Sequence, residues 1–140
     1  MADLSVTAAS VLASAQATIR KEYNFGYASA TAGQAVYLDS SNLWQKIDRD
    51  AAAAGNALTD LRGITLNGGG IGQPAVVCTS DPAFTPGATL TNGITIYTSD
   101  TAGGITSADI PTTGDYPTVL GVAKSTTVMN LNPVASGVVI

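Results

Sequence analysis

Short runs of apolar and β-branched residues, separated by turn residues, follow one another along the chain from Tyr23 onward. Val, Ile, Thr and Tyr are abundant in these runs, and such residues fit a pleated, half-buried sheet surface. The pattern indicates an all-β domain, mainly antiparallel, folded as a small barrel or sandwich. The predicted strands cover residues 35–38, 43–47, 64–66, 75–79, 94–98, 118–123 and 127–131.

The first two runs are separated by four polar residues, 39–42, which predict a β-hairpin. Side chains alternate between the two faces of a strand. In the second run Leu43 and Ile47 therefore share one face, and Trp44 lies on the other and needs separate cover. Packing within the domain is the favoured source of that cover. A neighbouring subunit is the alternative, which makes Trp44 a candidate residue of a subunit interface.

Two segments depart from the strand pattern. Residues 48–58 combine Asp48 or Asp50 as a cap with an alanine run that Gly55 weakens, and they predict one short helix. Residues 1–22 fit neither strand alternation nor a full helical stripe, so we predict an extended N-terminal arm before a β-rich domain at 23–140. Two interpretations of the arm stay open. It becomes ordered against a neighbouring protein, or it docks as a terminal strand on its own domain.

Charged residues are scarce in this chain. They make up 11% of the sequence, against about 25% in an average soluble domain. Ala, Thr, Ser, Gly and Asn take their place, and small side chains lose little rotamer entropy when a partner covers them. The composition therefore suits a subunit of an assembly. A secreted β domain with a Thr/Ser-rich surface is the alternative.

The balance of charge argues against two classes of partner. Six basic and ten acidic residues give a net charge of -4, and the basic residues are scattered. Binding to phosphate backbones requires a concentrated positive patch, so we expect neither nucleic acid nor an anionic membrane as a partner. No apolar stretch approaches the length of a membrane span, and the N-terminus lacks the basic region of a secretory signal. We therefore expect the protein to be made in the cytoplasm of its host cell.

Candidate catalytic chemistry is sparse. The chain contains no histidine, which removes the commonest general base and metal ligand. Cys78 is the single cysteine, and its apolar neighbours predict a buried side chain. The glycine-rich run at 67–72 lacks the Gly-Lys-Ser/Thr ending of a phosphate-binding loop. We therefore predict a protein that is not an enzyme, with no catalytic, cofactor-binding or metal residues.

Several short segments follow one another between about residue 24 and the last residues. They are AGQAVYL (32–38), Trp44 followed by Asp48 and an alanine-rich stretch, GITLNGG (63–69), GQP (72–74), TAGGI (101–105), GDYPTVLGVA (114–123) and ASGV (135–138). In this order they resemble the capsid decoration (cement) proteins of tailed bacteriophages. Residues 20–25 depart from that pattern, because they are more charged and aromatic.

The resemblance implies a β-rich domain on the outer surface of the phage head. Such a protein joins neighbouring subunits of the major capsid protein, stiffens the shell, and forms homo-dimers or homo-trimers. We expect the arm to bind the capsid, chiefly through Leu4, Val6, Val11 and Leu12. The alternative function is a tail or fibre-associated virion module with carbohydrate binding. An enzyme or inhibitor domain is disfavoured by the missing histidine.

Overall fold

The computed structural model describes residues 3–49, 61–107 and 113–135. Within these ranges the regular structure is ten β-strands and one 3₁₀ turn at Ala8–Ser10. Of the predicted helix at 48–58, only Asp48 and Arg49 are described, neither is helical, and the rest lies outside the described residues. The strands are β1 (Thr18–Arg20), β2 (Asn24–Phe25), β3 (Ala35–Leu38), β4 (Leu43–Lys46), β5 (Arg62–Thr65), β6 (Val77–Phe84), β7 (Thr95–Thr98), β8 (Ile105–Thr106), β9 (Thr118–Ala123) and β10 (Met129–Ala135).

The strands form one mixed sheet in the order β2-β4-β3-β5-β6-β10-β9-β7-β8. β1 stands outside this linear order and pairs with β6. Only the β2–β4 pair is parallel among the described strands, so the predicted all-β, mainly antiparallel fold is confirmed. The sheet does not close into a barrel. The predicted hairpin is present as β3–β4, and the Asp39 carboxylate accepts the Ser41 and Leu43 amide N–H groups across its turn.

Two hydrophobic cores lie on opposite faces of the β3–β6 region. Neighbouring residues of one strand alternate between them: Ala35 faces the main core and Val36 the second core. The main core contains Ala35, Ile47, Ile64, Cys78, Phe84, Leu90, Ile96, Ile105, Leu120, Ala123, Met129 and Leu131. The second core contains Phe25, Tyr27, Ala30, Val36, Trp44, Ala75 and Val77.

Two prolines lie inside strands, although proline cannot donate a hydrogen bond to a neighbouring strand. Pro82 lies within β6 and Pro133 within β10. Both fall where the strand register shifts, between the Met129 and Leu131 pairings and between the Leu131 and Val134 pairings. The extra residue of a β-bulge is left unpaired, so a proline is tolerated there without a lost ladder bond.

Candidate binding surface

The described part of the N-terminal arm lies along its own domain. The Thr7 N–H donates to the Gly87 carbonyl at 2.8 Å, and Leu12 and Thr85 exchange two hydrogen bonds of 2.9 Å. Farther along, β1 pairs antiparallel with β6. The arm therefore occupies backbone groups that would otherwise be unpaired at the domain surface. This geometry corresponds to the interpretation in which the arm docks on its parent domain.

Asp81 of β6 fixes the middle of the arm. Its carboxylate accepts hydrogen bonds from the Ser14 amide N–H at 2.7 Å, from the Ser14 hydroxyl, and from the Ala83 amide N–H at 3.0 Å. Burial by itself raises the pKa of Asp81, but the hydrogen bonds from Ser14 and Ala83 outweigh it and hold the pKa below its ordinary value. The ionised carboxylate is therefore the form that holds the arm.

Glycines make room for the arm at three places. A Cβ on Gly87 would lie 2.5 Å from the Thr7 carbonyl oxygen, and one on Gly104 would lie 2.6 Å from the Asp3 carboxylate. A Cβ on Gly33 would collide with the Val6 side chain. Gly33 and Gly87 also have positive φ angles of 91° and 79°, which side-chain-bearing residues rarely adopt. The domain is therefore shaped to receive the arm closely.

The four residues predicted to bind the capsid have different surroundings. Leu4, Val6 and Val11 are half-buried and pack against the main core of their own chain. Leu12 is 66% exposed. Of the four, Leu12 therefore presents most of its side chain to a partner, and the other three present only part of theirs.

Trp44, the candidate for a subunit interface, is completely buried among the residues of the second core. Its cover comes from within the domain, which is the arrangement that the strand alternation favoured. A side chain with 0% exposure offers no surface to another subunit.

A shallow groove of about 410 Å³ lies between the arm and two turns. Val6 and Ala8 line it from the arm, and residues 31–34 and 101–105 line it from the domain. No charged side chain is among these lining residues, and most of them are small. The groove offers few groups that could orient a small ligand, because such sites combine apolar walls with placed polar groups.

A second surface is the outward face of β7, β9 and β10, and we call it the uncharged face. None of the residues in these three strands is charged. Val122 is 43% exposed and Val134 58%. Lys124, which follows β9, directs its ammonium group to the Pro82 carbonyl at 2.8 Å. The strand register aligns the side chains of the face in two rows across the three strands, Thr95–Val122–Asn130 and Tyr97–Val119–Val134.

A β-bulge shapes this face. Strict alternation would place Val119 and Val122 on opposite sides of β9, but the register shifts between the Ile96 and Tyr97 pairings, so both lie in the outward rows. Gly121 sits at the bulge, and a Cβ there would collide with the Asn130 carbonyl oxygen. Glycine is therefore required for this approach of β9 to β10. An isolated glycine inside a strand pattern often marks a bulge, so Gly121 within the predicted run 118–123 is the sequence signal that could have located it.

Arg49 and Cys78 are buried ionisable residues, and their contacts are those of structural side chains. The Arg49 Nε lies 3.2 Å from an Asp115 carboxylate oxygen, and Arg49 Nη1 donates to the Thr98 carbonyl at 3.0 Å. Cys78 is buried as predicted, and burial raises the pKa of its thiol to about 12, so the thiol stays protonated at neutral pH. In the part of the chain that the structure describes, no group of three or more His, Cys, Asp or Glu residues is placed to hold a metal ion.

Comparison with protein-family models, with curated proteins and with solved structures found no match for this chain. No helix within residues 3–49, 61–107 and 113–135 has the length and apolar character needed to cross a membrane.

Proposed function

We propose that this chain is a structural virion protein that binds the outer surface of a tailed-phage head and cements neighbouring major capsid subunits. The observation that supports binding to another protein is the uncharged face, where aliphatic side chains are exposed on three strands that contain no charged residue. Charged residues are depleted at the centres of protein–protein interfaces, as they are here. The order of segments shared with decoration proteins supports the phage head as the partner.

The domain is also suited to binding with little ordering cost. Its arm is fastened to the body by backbone hydrogen bonds, and Ser14 is fixed to Asp81. A binding module that is already ordered loses less conformational entropy when it docks. A subunit that touches two or three capsid subunits also gains effective concentration from every additional contact. In this proposal it stabilises the shell as a homo-dimer or homo-trimer, and it requires no catalysis and no cofactor.

The alternative of a carbohydrate-binding tail or fibre module has less support. Sugar sites are commonly built on exposed aromatic rings, which combine an apolar face with polar tips. The five tyrosines, two phenylalanines and one tryptophan all fall in the described ranges, and each is either buried or half-buried, so none presents a fully open ring.

Co-sedimentation of the purified protein with expanded, undecorated heads of its own phage tests the proposal, with compact proheads as the control. We expect saturable binding to the expanded heads alone, at a stoichiometry that matches a symmetry axis of the shell. Absence of binding to either particle would reject decoration and favour the tail or fibre module.

A further inference from the structure

We propose that the uncharged face of β7, β9 and β10 is the surface that contacts the shell, and that its occupant is an uncharged, aliphatic patch of the major capsid protein. This inference rests on the proposed function and names the contact through which it acts. The alternative occupants are a second copy of this chain and no partner at all.

The chemistry of the face selects an uncharged partner. Val119, Val122 and Val134 supply its aliphatic part, and Thr95, Tyr97 and Asn130 supply neutral polar groups. A charged group of the partner would lose its water against these side chains without gaining an opposite charge, which is unfavourable. Exposed valines bury favourably against apolar surface. A neutral, partly aliphatic partner surface therefore fits best.

The size of the face argues against a second copy as its only occupant. Three strands about 4.8 Å apart and two side-chain rows about 7 Å apart give a face of roughly 200–300 Å². A stable pairwise interface buries about 800 Å² on each partner. Two copies in solution would thus gain too little from this face alone. On a shell the same contact is repeated by every subunit of an oligomer, and modest contacts add through effective concentration.

The face is rigid because the core supports it from below. Ile96, Leu120 and Leu131 lie on the inward side of the same three strands and are completely buried. β9 is hydrogen-bonded to β7 on one side and to β10 on the other. The arm, in contrast, directs Leu4, Val6 and Val11 toward its own domain. The sheet face therefore needs less rearrangement than the arm before it can contact a partner.

The test measures head binding of single Asp variants. Val122→Asp and Val134→Asp each place a carboxylate in the face, and we expect each to weaken binding to expanded heads by about 100-fold or more. Ile71→Asp is the matched control, because Ile71 is 68% exposed in the β5–β6 connection. The adjacent Gly72 N–H donates to the Phe25 carbonyl of β2, which lies at the other end of the strand order. We expect Ile71→Asp to bind within about threefold of wild type. Leu12→Asp is the comparison variant that tests the arm, because Leu12 is the most exposed of its four candidate contact residues.

The outcomes separate this inference from the proposed function. If the wild type binds neither heads nor proheads, the proposed function fails. If the wild type binds and both valine variants bind equally well, the contact lies elsewhere and only this inference is wrong. A selective loss in Leu12→Asp would move the contact to the arm.

Two further measurements complete the test. Sedimentation velocity of each variant shows whether an oligomer of the wild type depends on this face. Dissociation of such an oligomer by Val122→Asp or Val134→Asp would assign the face to a second copy and overturn the inference. Circular dichroism and Tm confirm folding. If an Asp variant unfolds, Val134→Lys replaces it. Val134 is the more exposed of the two valines, and the long lysine side chain can extend its charge into water without disturbing the core.

Discussion

Replacement of Gly87 by alanine tests whether the domain is shaped to receive its arm. Gly87 has a φ of 79°, and an added Cβ would lie 2.5 Å from the Thr7 carbonyl oxygen and 3.2 Å from a Val11 methyl group. Gly93 has nearly the same backbone conformation, with a φ of 82°, but nothing lies within 4 Å of an added Cβ. Gly93→Ala is therefore a matched control that carries the backbone cost without the collision.

The two substitutions should differ by the energy of displacing the arm. A left-handed conformation costs a side-chain-bearing residue about 1–2 kcal/mol, which is the whole effect expected for Gly93→Ala. Forcing an extra carbon into a close contact adds about 1–3 kcal/mol. We therefore expect Gly87→Ala to lower the free energy of unfolding by about 2–5 kcal/mol, a large share of the roughly 5–15 kcal/mol of a typical domain.

Urea unfolding of both variants measures these costs, and hydrogen exchange measures the arm directly. The Thr7 and Leu12 amides are bonded to the Gly87 and Thr85 carbonyls, so they should lose protection in Gly87→Ala and keep it in Gly93→Ala. Equal destabilisation of the two variants, within about 0.5 kcal/mol, together with unchanged protection of these amides, would refute the close fit between arm and domain.

Three further predictions concern buried groups. Hydrogen bonds hold the pKa of Asp81 low despite its burial. The ionised carboxylate therefore stabilises the fold above about pH 4, and this contribution is lost as pH falls through the lowered pKa. Urea unfolding at a series of pH values should show that the free energy of unfolding falls more steeply with acid in wild type than in Asp81→Asn. Burial and the raised pKa of Cys78, about 12, should prevent its alkylation in the native protein, while the unfolded chain reacts fully. Because Trp44 is completely buried, its fluorescence should shift to the red on unfolding but stay unchanged on head binding; a shift on binding would restore it as an interface residue.

The sequence predicts two strands to the residue, places the bounds of the two longest strands wrongly, and misses the shortest strands. The predicted runs at 75–79 and 127–131 overlap only part of β6 (Val77–Phe84) and β10 (Met129–Ala135). The predicted runs at 35–38 and 118–123 coincide with β3 and β9, because turn residues flank them and β-branched or aromatic residues fill them. β2 and β8 contain two residues each, too few for any periodic pattern. They exist because longer neighbouring strands supply their partners, which is information that no local window contains.

The candidate surface depends on a strand register and a strand order that strict alternation and local pattern do not give. Val119 and Val122 share a face only because a bulge at Gly121 shifts the register, and strict alternation separates them. The sequence does show that Lys124 is the only basic residue after Arg62, which is consistent with a charge-poor surface in this half. It does not show which strands are adjacent, and the face exists only once β9 lies between β7 and β10.

The position of the arm changes how a shell contact should be sought. If the arm were free to bind a partner, a close fit between the arm and its own domain would serve no purpose. Yet Gly33, Gly87 and Gly104 all leave room where the arm passes over the domain. Releasing the arm to a partner would expose the half-buried Leu4, Val6 and Val11 and break the Ser14–Asp81 bonds, so the partner would have to replace those contacts before any net gain. The uncharged face needs no such exchange, because Val122 and Val134 are already exposed over a packed core. If the proposed function holds, we therefore expect the preformed face, and not the arm, to contact the shell.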